Sequence, residues 1–142
     1  MALSVQTPEL EAWAMGFPVT LLHAGVAVAM LTAGAALYSL LTPHREIQLI
    51  RDGNAAAALS FGGVLVGLAV PIAFALAAST SLLDIALWGG TALILQLGLF
   101  WLVDLILVGL PQRIKEGEVA AAALLVAAKL AVAIVLAAAL AA

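Results

Sequence analysis

The sequence predicts an all-α fold: a four-helix transmembrane bundle built from a duplicated two-span hairpin, with a parallel pseudo-twofold repeat. Three observations carry that expectation. The 142-residue chain is 66% hydrophobic with a mean hydropathy of +1.26. Its apolar residues fall into runs at 17–41, 55–78, 85–110 and 119–142, and the connections at 42–54 and 111–118 resemble each other. About 20 apolar residues cross a bilayer core as a helix. Barrel strands would alternate over about 10 residues with a polar lumen face, whereas these runs are continuous and rich in Ala and Leu. The segments left over are too short to bury a core of their own, so a single integral membrane domain is expected over 1–142.

Before the first run, Thr7 is a candidate cap, Pro8 suits a first helical position, and Glu9 and Glu11 fall in the first turn. A short helix on the outer surface is expected there, anchored at the headgroups by Trp13, with a frayed tail as the alternative. The first 16 residues lack a basic n-region and an apolar core, so the first span is expected to be retained and not cleaved as a signal peptide. Gly25, Ala29, Ala33 and Ala36 form a small-residue stripe on this span. A matching stripe on the second comprises Ala56, Ser60, Gly63 and Gly67, and it contains a GxxxG pattern. Small residues let helix backbones approach closely in lipid, so the stripes predict either a hairpin contact or a homo-oligomer seam. Pro71 lacks an N–H and predicts a kink in the second span, as a hinge or as a static bend. In the third span Trp88 is a candidate interfacial anchor.

Arg45 and Arg51 lie in the first connection, Arg113 and Lys115 in the third. By the positive-inside rule both connections are cytoplasmic and both termini, with the Ser79–Asp84 turn, lie outside. The net charge of −3 is spread over the connections and offers no basic face for nucleic acid. With no cysteine there is no disulfide or thiol chemistry.

The connections read IRDGNAAAAL from Ile50 and IKEGEVAAAA from Ile114. The same offset pairs Gly25 with Gly89, Gly34 with Gly98, and Thr32 with Gln96. Each unit holds two spans, so both copies enter the membrane in one direction about an axis along its normal.

Asp104 and Lys129 are the two charges inside the apolar runs, where an ionisable group costs about 2.5–3.5 kcal/mol. Asp104 is expected roughly 9 Å and Lys129 roughly 15 Å from the cytoplasmic ends of their spans, a difference the lysine stem covers by snorkelling. Three arrangements fit: a structural ion pair, a proton or ion relay beside a hydrated cavity, and two side chains snorkelling independently. Gln96 and Thr32 are expected to hydrogen-bond across the pseudo-axis. His23 is a candidate relay or a locally paired histidine, and with no further ligand near it no metal site is expected. No nucleophile set, phosphate loop or HExxH motif occurs, so neither an enzyme nor a cofactor is expected.

The segment TPHREIQLIRDGNAAAALSFGGVLVGLAVPIA, with WGGTALILQL in the third span, resembles the bacterial inner-membrane family catalogued as domain of unknown function 350. The resemblance is specific over 42–97. It implies a four-span inner-membrane protein made of a duplicated two-span unit, related to partners of envelope-stress systems that include phage-shock-type membrane-remodelling proteins. It brings no established activity. The motif positions it marks are Thr42, Pro43, His44, Arg45, Gly53, Asn54 and Ala55. Ile47, Leu49 and Ile50 alternate with Arg45, Glu46, Arg51 and Asp52, which suits a segment at the headgroup level with its polar face toward the cytosol. Asn54 is a candidate cap for the second span.

The function expected is a non-enzymatic accessory or scaffold linked to envelope stress. It is expected to be homo-oligomeric and to present its cytoplasmic connections to a membrane-stress protein. The alternative is a small ion or proton channel or transporter using Asp104, Lys129 and Gln96.

Overall fold

The computed structural model describes residues 7–42 and 46–142, and among these there are six helices and no strand. The helices are α1 (Pro8–Leu41), α2 (Glu46–Arg51), α3 (Ala55–Ala78), α4 (Leu82–Ile106), α5 (Leu110–Lys115) and α6 (Val119–Ala141). Four of them, α1, α3, α4 and α6, are long and apolar enough to cross a membrane.

Pro8 opens α1 with Glu9 and Glu11 in its first turn, where acids favour the positive end of the helix dipole. Thr7 precedes it in extended conformation but makes no side-chain cap. No break separates a surface helix from the span, in contrast to the sequence reading. α1 runs for 34 residues, or roughly 51 Å at 1.5 Å per residue, well beyond a hydrocarbon core of about 30 Å. It stops at Thr42, whose extended backbone is what a following proline imposes, and the Thr42 Oγ1 bonds back to the Tyr38 carbonyl at 2.7 Å.

The two connections close in the same way. After α2, Gly53 N donates to Ile50 O at 3.0 Å and Asn54 N to Leu49 O at 2.9 Å. After α5, Gly117 N donates to Ile114 O at 2.9 Å and Glu118 N to Arg113 O at 3.0 Å. These paired bonds end a helix through a left-handed residue, and Gly53 and Gly117 supply it at φ 87° and 85°. Asn54 then caps α3 by accepting from Ala57 N at 3.0 Å, as its sequence position suggests.

α4 begins at Ser81, whose Oγ accepts from Asp84 N at 3.2 Å, and ends at Ile106 although the apolar run continues to Leu110. Gly109 takes φ 90° and Pro111 sits in the first turn of α5, so the last apolar residues turn away and start the short helix.

α3 and α4 pack on each other, and each also packs on α1 and on α6. The cross-section is thus a diamond with α3 and α4 on its short diagonal and α1 and α6 at its far corners. The α3–α6 contact is the most extensive, and Gly63 of the expected small-residue face takes part in it, while Gly67 meets α4. Ala56, Ser60, Gly63 and Gly67 are all buried. A Cβ on Gly63 would lie 2.5 Å from Val126 Cγ2, and one on Gly67 would lie 2.6 Å from Phe100 Cζ. α3 remains helical through Pro71, which is itself buried.

The stripe on α1 is different. Gly25, Ala29, Ala33 and Ala36 face outward, and the buried face carries Ala27, Gly34, Ala35 and Tyr38. Tyr38 accounts for the rotation: its hydroxyl finds polar partners only inside the bundle, and turning it inward carries Gly34 and Ala35 along, one turn behind.

Candidate functional site

Five polar side chains meet inside the bundle near the end where α2 and α5 lie, each from a different helix: Tyr38, Glu46, Ser60, Asp104 and Lys129. Lys129 is at the centre. It sits roughly 15 Å along α6 from Val119 and is 1% exposed. Asp104 lies in the last turn of α4, closer to the helix end than the sequence reading placed it because α4 stops at Ile106. The lysine stem reaches back across this difference.

The Lys129 ammonium is 3.0 Å from Asp104 Oδ1, yet the aligned hydrogen bond goes to Oδ2 at 3.3 Å, and Oδ1 lacks an aligned donor. A second bond of 2.9 Å runs from Lys129 Nζ to the Tyr38 hydroxyl. The ammonium also stands 4.8 Å from the centre of the Tyr38 ring and 5.3 Å from that of Phe100. The two rings meet edge to face at 6.1 Å. Aromatic faces attract a cation through their negative quadrupole, so the pocket suits an ammonium from three directions. Asp104 is 28% exposed on its other side.

Glu46 belongs to this cluster and not to the cytosol-facing surface where the sequence pattern put it: it is 7% exposed. Its Oε1 accepts from Ser60 Oγ at 3.4 Å, and its Oε2 has no partner among the described residues. Burial pushes its carboxyl up to about 6, against the pull of the Lys129 charge and the Ser60 bond.

The remaining expected residues lie elsewhere. Gln96 is fully buried with both amide atoms unpartnered, and Thr32 faces outward and bonds its own helix at Val28 O, 2.9 Å away. The expected Gln96–Thr32 bond is absent because α1 is rotated so that Tyr38 points inward; a threonine turned to lipid satisfies itself on the preceding turn. His23 is partly exposed on α1, roughly 22 Å along the helix from Tyr38. No group of three His, Cys, Asp or Glu stands close enough to hold a metal among the described residues. Of the loop motif, Thr42 borders the cluster, and Gly53 and Asn54 form the turn into α3; Pro43, His44 and Arg45 lie outside the described residues.

Asn54 does more than cap. Its Nδ2 donates to Ile114 O at 3.0 Å and to Lys115 O at 3.2 Å, which ties the first connection to the end of α5. Arg51, Arg113 and Lys115 are exposed around this joint. Arg113 Nε donates to Glu118 Oε2 at 2.6 Å, and its guanidinium holds the Glu118 carboxyl below the usual range.

A groove of about 580 Å³ opens between α1 and α4, walled by Leu41, Leu97, Gly98, Trp101 and Leu105, with Asp104 and Tyr38 at its polar end. A cavity of about 10 Å³ beside it joins Asp104 to Glu46.

Tyr38, Glu46 and Ser60 escaped the sequence reading. One signal was available: the offset that aligns Ile50 with Ile114 also aligns Glu46 with Leu110, and both are buried.

The family described as Domain of Unknown Function (DUF350) matches residues 12–140. The chain is 40% identical over 96 residues to the UPF0719 inner membrane protein YjfL of Escherichia coli (strain K12), and equally to that of Escherichia coli O157:H7. The alignment covers 68% of this chain and 73% of each relative. No solved structure matches.

Proposed function

The chain belongs to the DUF350 family, and from that premise we propose that it is a multi-pass inner-membrane protein without enzymatic chemistry, an accessory that offers one composite surface to a cytoplasmic partner of envelope-stress response. The observation that carries this reading is the Asn54 tie: by bonding Ile114 O and Lys115 O it makes two sequence-distant connections into a single platform rimmed by Arg51, Arg113 and Lys115. The bias of basic residues toward the two connections supports a cytoplasmic platform with both termini in the periplasm. The matching helix ends at Gly53 and Gly117 support an origin by duplication of a span–connection–span unit, with its axis along the membrane normal. The outward stripe Gly25, Ala29, Ala33 and Ala36 supports self-association through α1.

The test is recovery of partners from solubilised membranes with a tagged chain. Substituting Arg45, Arg51, Arg113 and Lys115 by Ala together should abolish recovery while the protein stays folded and inserted; unchanged recovery refutes the platform.

A second reading, proton or ion passage past Asp104, Lys129 and Gln96, draws on one observation: the Gln96 amide is buried with no partner on the same helix as Asp104. Purified protein in liposomes either carries protons or monovalent cations above the empty-vesicle rate, or this reading fails.

A further inference from the structure

α1 is longer than the bundle it belongs to. A Cβ on Gly34 would meet the Leu93 side chain of α4, and one on Gly89 of α4 would lie 2.7 Å from Met30 Cε, so the two helices run in a parallel register that sets Leu82 near the height of His23. A Cβ on Gly34 would also lie 3.4 Å from Leu68 Cδ1 of the antiparallel α3, which brings Ala78, its last residue, to the same height. The contact of Gly63 with Val126 sets the end of α6 level with that of α3. Three spans thus end together, and residues 8–22 of α1 run on past them for roughly 22 Å at 1.5 Å per residue. Every residue in 8–22 is exposed.

This overhang is apolar on every side. Trp13, Met15, Phe17, Val19, Leu21 and Leu22 are distributed around the helix, and between Ala12 and Leu22 the one polar side chain is Thr20, which bonds within its own helix to Gly16 O at 3.0 Å. A helix apolar all round is stable when it is covered all round. A second copy would cover one side and leave the others to water, whereas acyl chains cover them all. Toward the tip, Leu10, Ala14 and Phe17 share a face, and Trp13 beside it stacks on Phe17 with 5.1 Å between ring centres. Glu9 and Glu11 stand on the two flanks of that face, which suits the boundary between acyl chains and headgroups. The helix is also weakest where a bend would bring this face to the membrane. Pro18 has no N–H for Ala14 O, and Thr20 draws on Gly16 O in the same turn. Pro18 stands about one and a half turns beyond the ends of the other spans, near the headgroup layer.

We propose that residues 8–17 are a lipid-binding arm: α1 bends at Pro18, and the arm lies along the membrane leaflet on the amino-terminal side with Leu10, Trp13 and Phe17 among the acyl chains and Glu9 and Glu11 toward water. The arm is at the opposite end of the bundle from the docking platform and does not depend on it.

The experiment is fluorescence of the full chain carrying Trp88→Phe and Trp101→Phe, two exposed positions, so that Trp13 is the one indole left. The protein is placed at low density in vesicles of phosphatidylcholine brominated on the acyl carbons nearest the headgroup, since bromine quenches an indole on contact. Trp13 emission should fall several-fold relative to vesicles of the unbrominated lipid and should resist iodide added to the water. Pro18→Ala, which restores a regular hydrogen bond in an exposed helix and leaves the bundle folded, should lose most of the bromine quenching. Quenching by iodide and not by bromine would mean that the arm projects into water, and it overturns the proposal. Quenching by neither, or bromine quenching that fades as the protein density is raised, would mean that a second copy covers the arm, and it overturns the proposal as well. Unchanged bromine quenching in Pro18→Ala refutes the bend at Pro18.

Discussion

Lys129 Nζ donates a 2.9 Å hydrogen bond to the Tyr38 hydroxyl along the long diagonal of the bundle, joining α6 to α1, which pack on α3 and α4 far more than on each other. Tyr38→Phe keeps the ring over the ammonium and removes only this bond. A hydrogen bond to a charged group is worth about 1.5–3 kcal/mol, so the variant should lose roughly that stability in detergent unfolding followed by circular dichroism. No loss would show that the bond does not hold the corner helices together.

Lys129→Met removes the ion-pair partner of Asp104 and should destabilise by about 3 kcal/mol, at the low end for a broken buried pair because Asp104 is partly exposed. Adding Asp104→Leu should recover most of that loss. Exchanging the pair, Asp104→Lys with Lys129→Asp, should recover less than half, because an anion would then face the Tyr38 and Phe100 rings that now favour a cation. Unfolding curves of these three proteins separate simple pairing from the aromatic contribution.

The Glu46 carboxyl, raised by burial from 4.5 to about 6, binds its proton more tightly in the folded protein than in the unfolded chain. Its contribution is therefore fully present below pH 4.5 and is lost as pH rises through 6. The loss amounts to about 2 kcal/mol. Melting temperature measured between pH 4.5 and 7.5 should fall across this window, and Glu46→Gln should flatten the profile. A profile that is already flat in the unaltered protein rules out a burial-raised Glu46.

Gly63→Ala should cost about 1–3 kcal/mol, since its Cβ would lie 2.5 Å from Val126 Cγ2 and 3.0 Å from Val126 Cβ, an atom that no side-chain rotation moves. Val126→Ala in the same chain should restore part of the loss. Additive losses, measured by the same unfolding assay, would mean that the two residues do not meet.

Asn54→Asp separates the two jobs of Asn54. An aspartate still caps α3, but it has no N–H for Ile114 O and Lys115 O and sets a negative charge against them. Proteolysis between α5 and α6 should quicken several-fold while overall helix content stays constant; equal rates would remove the tie between the connections.

The long apolar runs and the intramembrane Asp104 and Lys129 were legible in the sequence because lipid imposes length and excludes charge, and both rules act on composition alone. Rotation about each helix axis was not. A lipid-facing side chain is as apolar as a core one, so nothing in the α1 sequence distinguishes the outward Gly25 stripe from the inward Gly34 and Ala35, and Thr32 went with the wrong face. Glu46 was hidden for the opposite reason: it stands among charges in a connection, where polar residues are ordinarily solvated, and only the fold turns it inward. The boundary of α4 was missed because Gly109 and Pro111 break the helix inside an apolar stretch that hydropathy reads as continuous.

The order of the chain gives the buried pair a consequence for synthesis. A ribosome makes Asp104 before Lys129, so the third span exists before the residue that closes its ion pair. The carboxylate of the third span can reach its partner only after the fourth span has been added, which ties the final arrangement of the bundle to the last segment made.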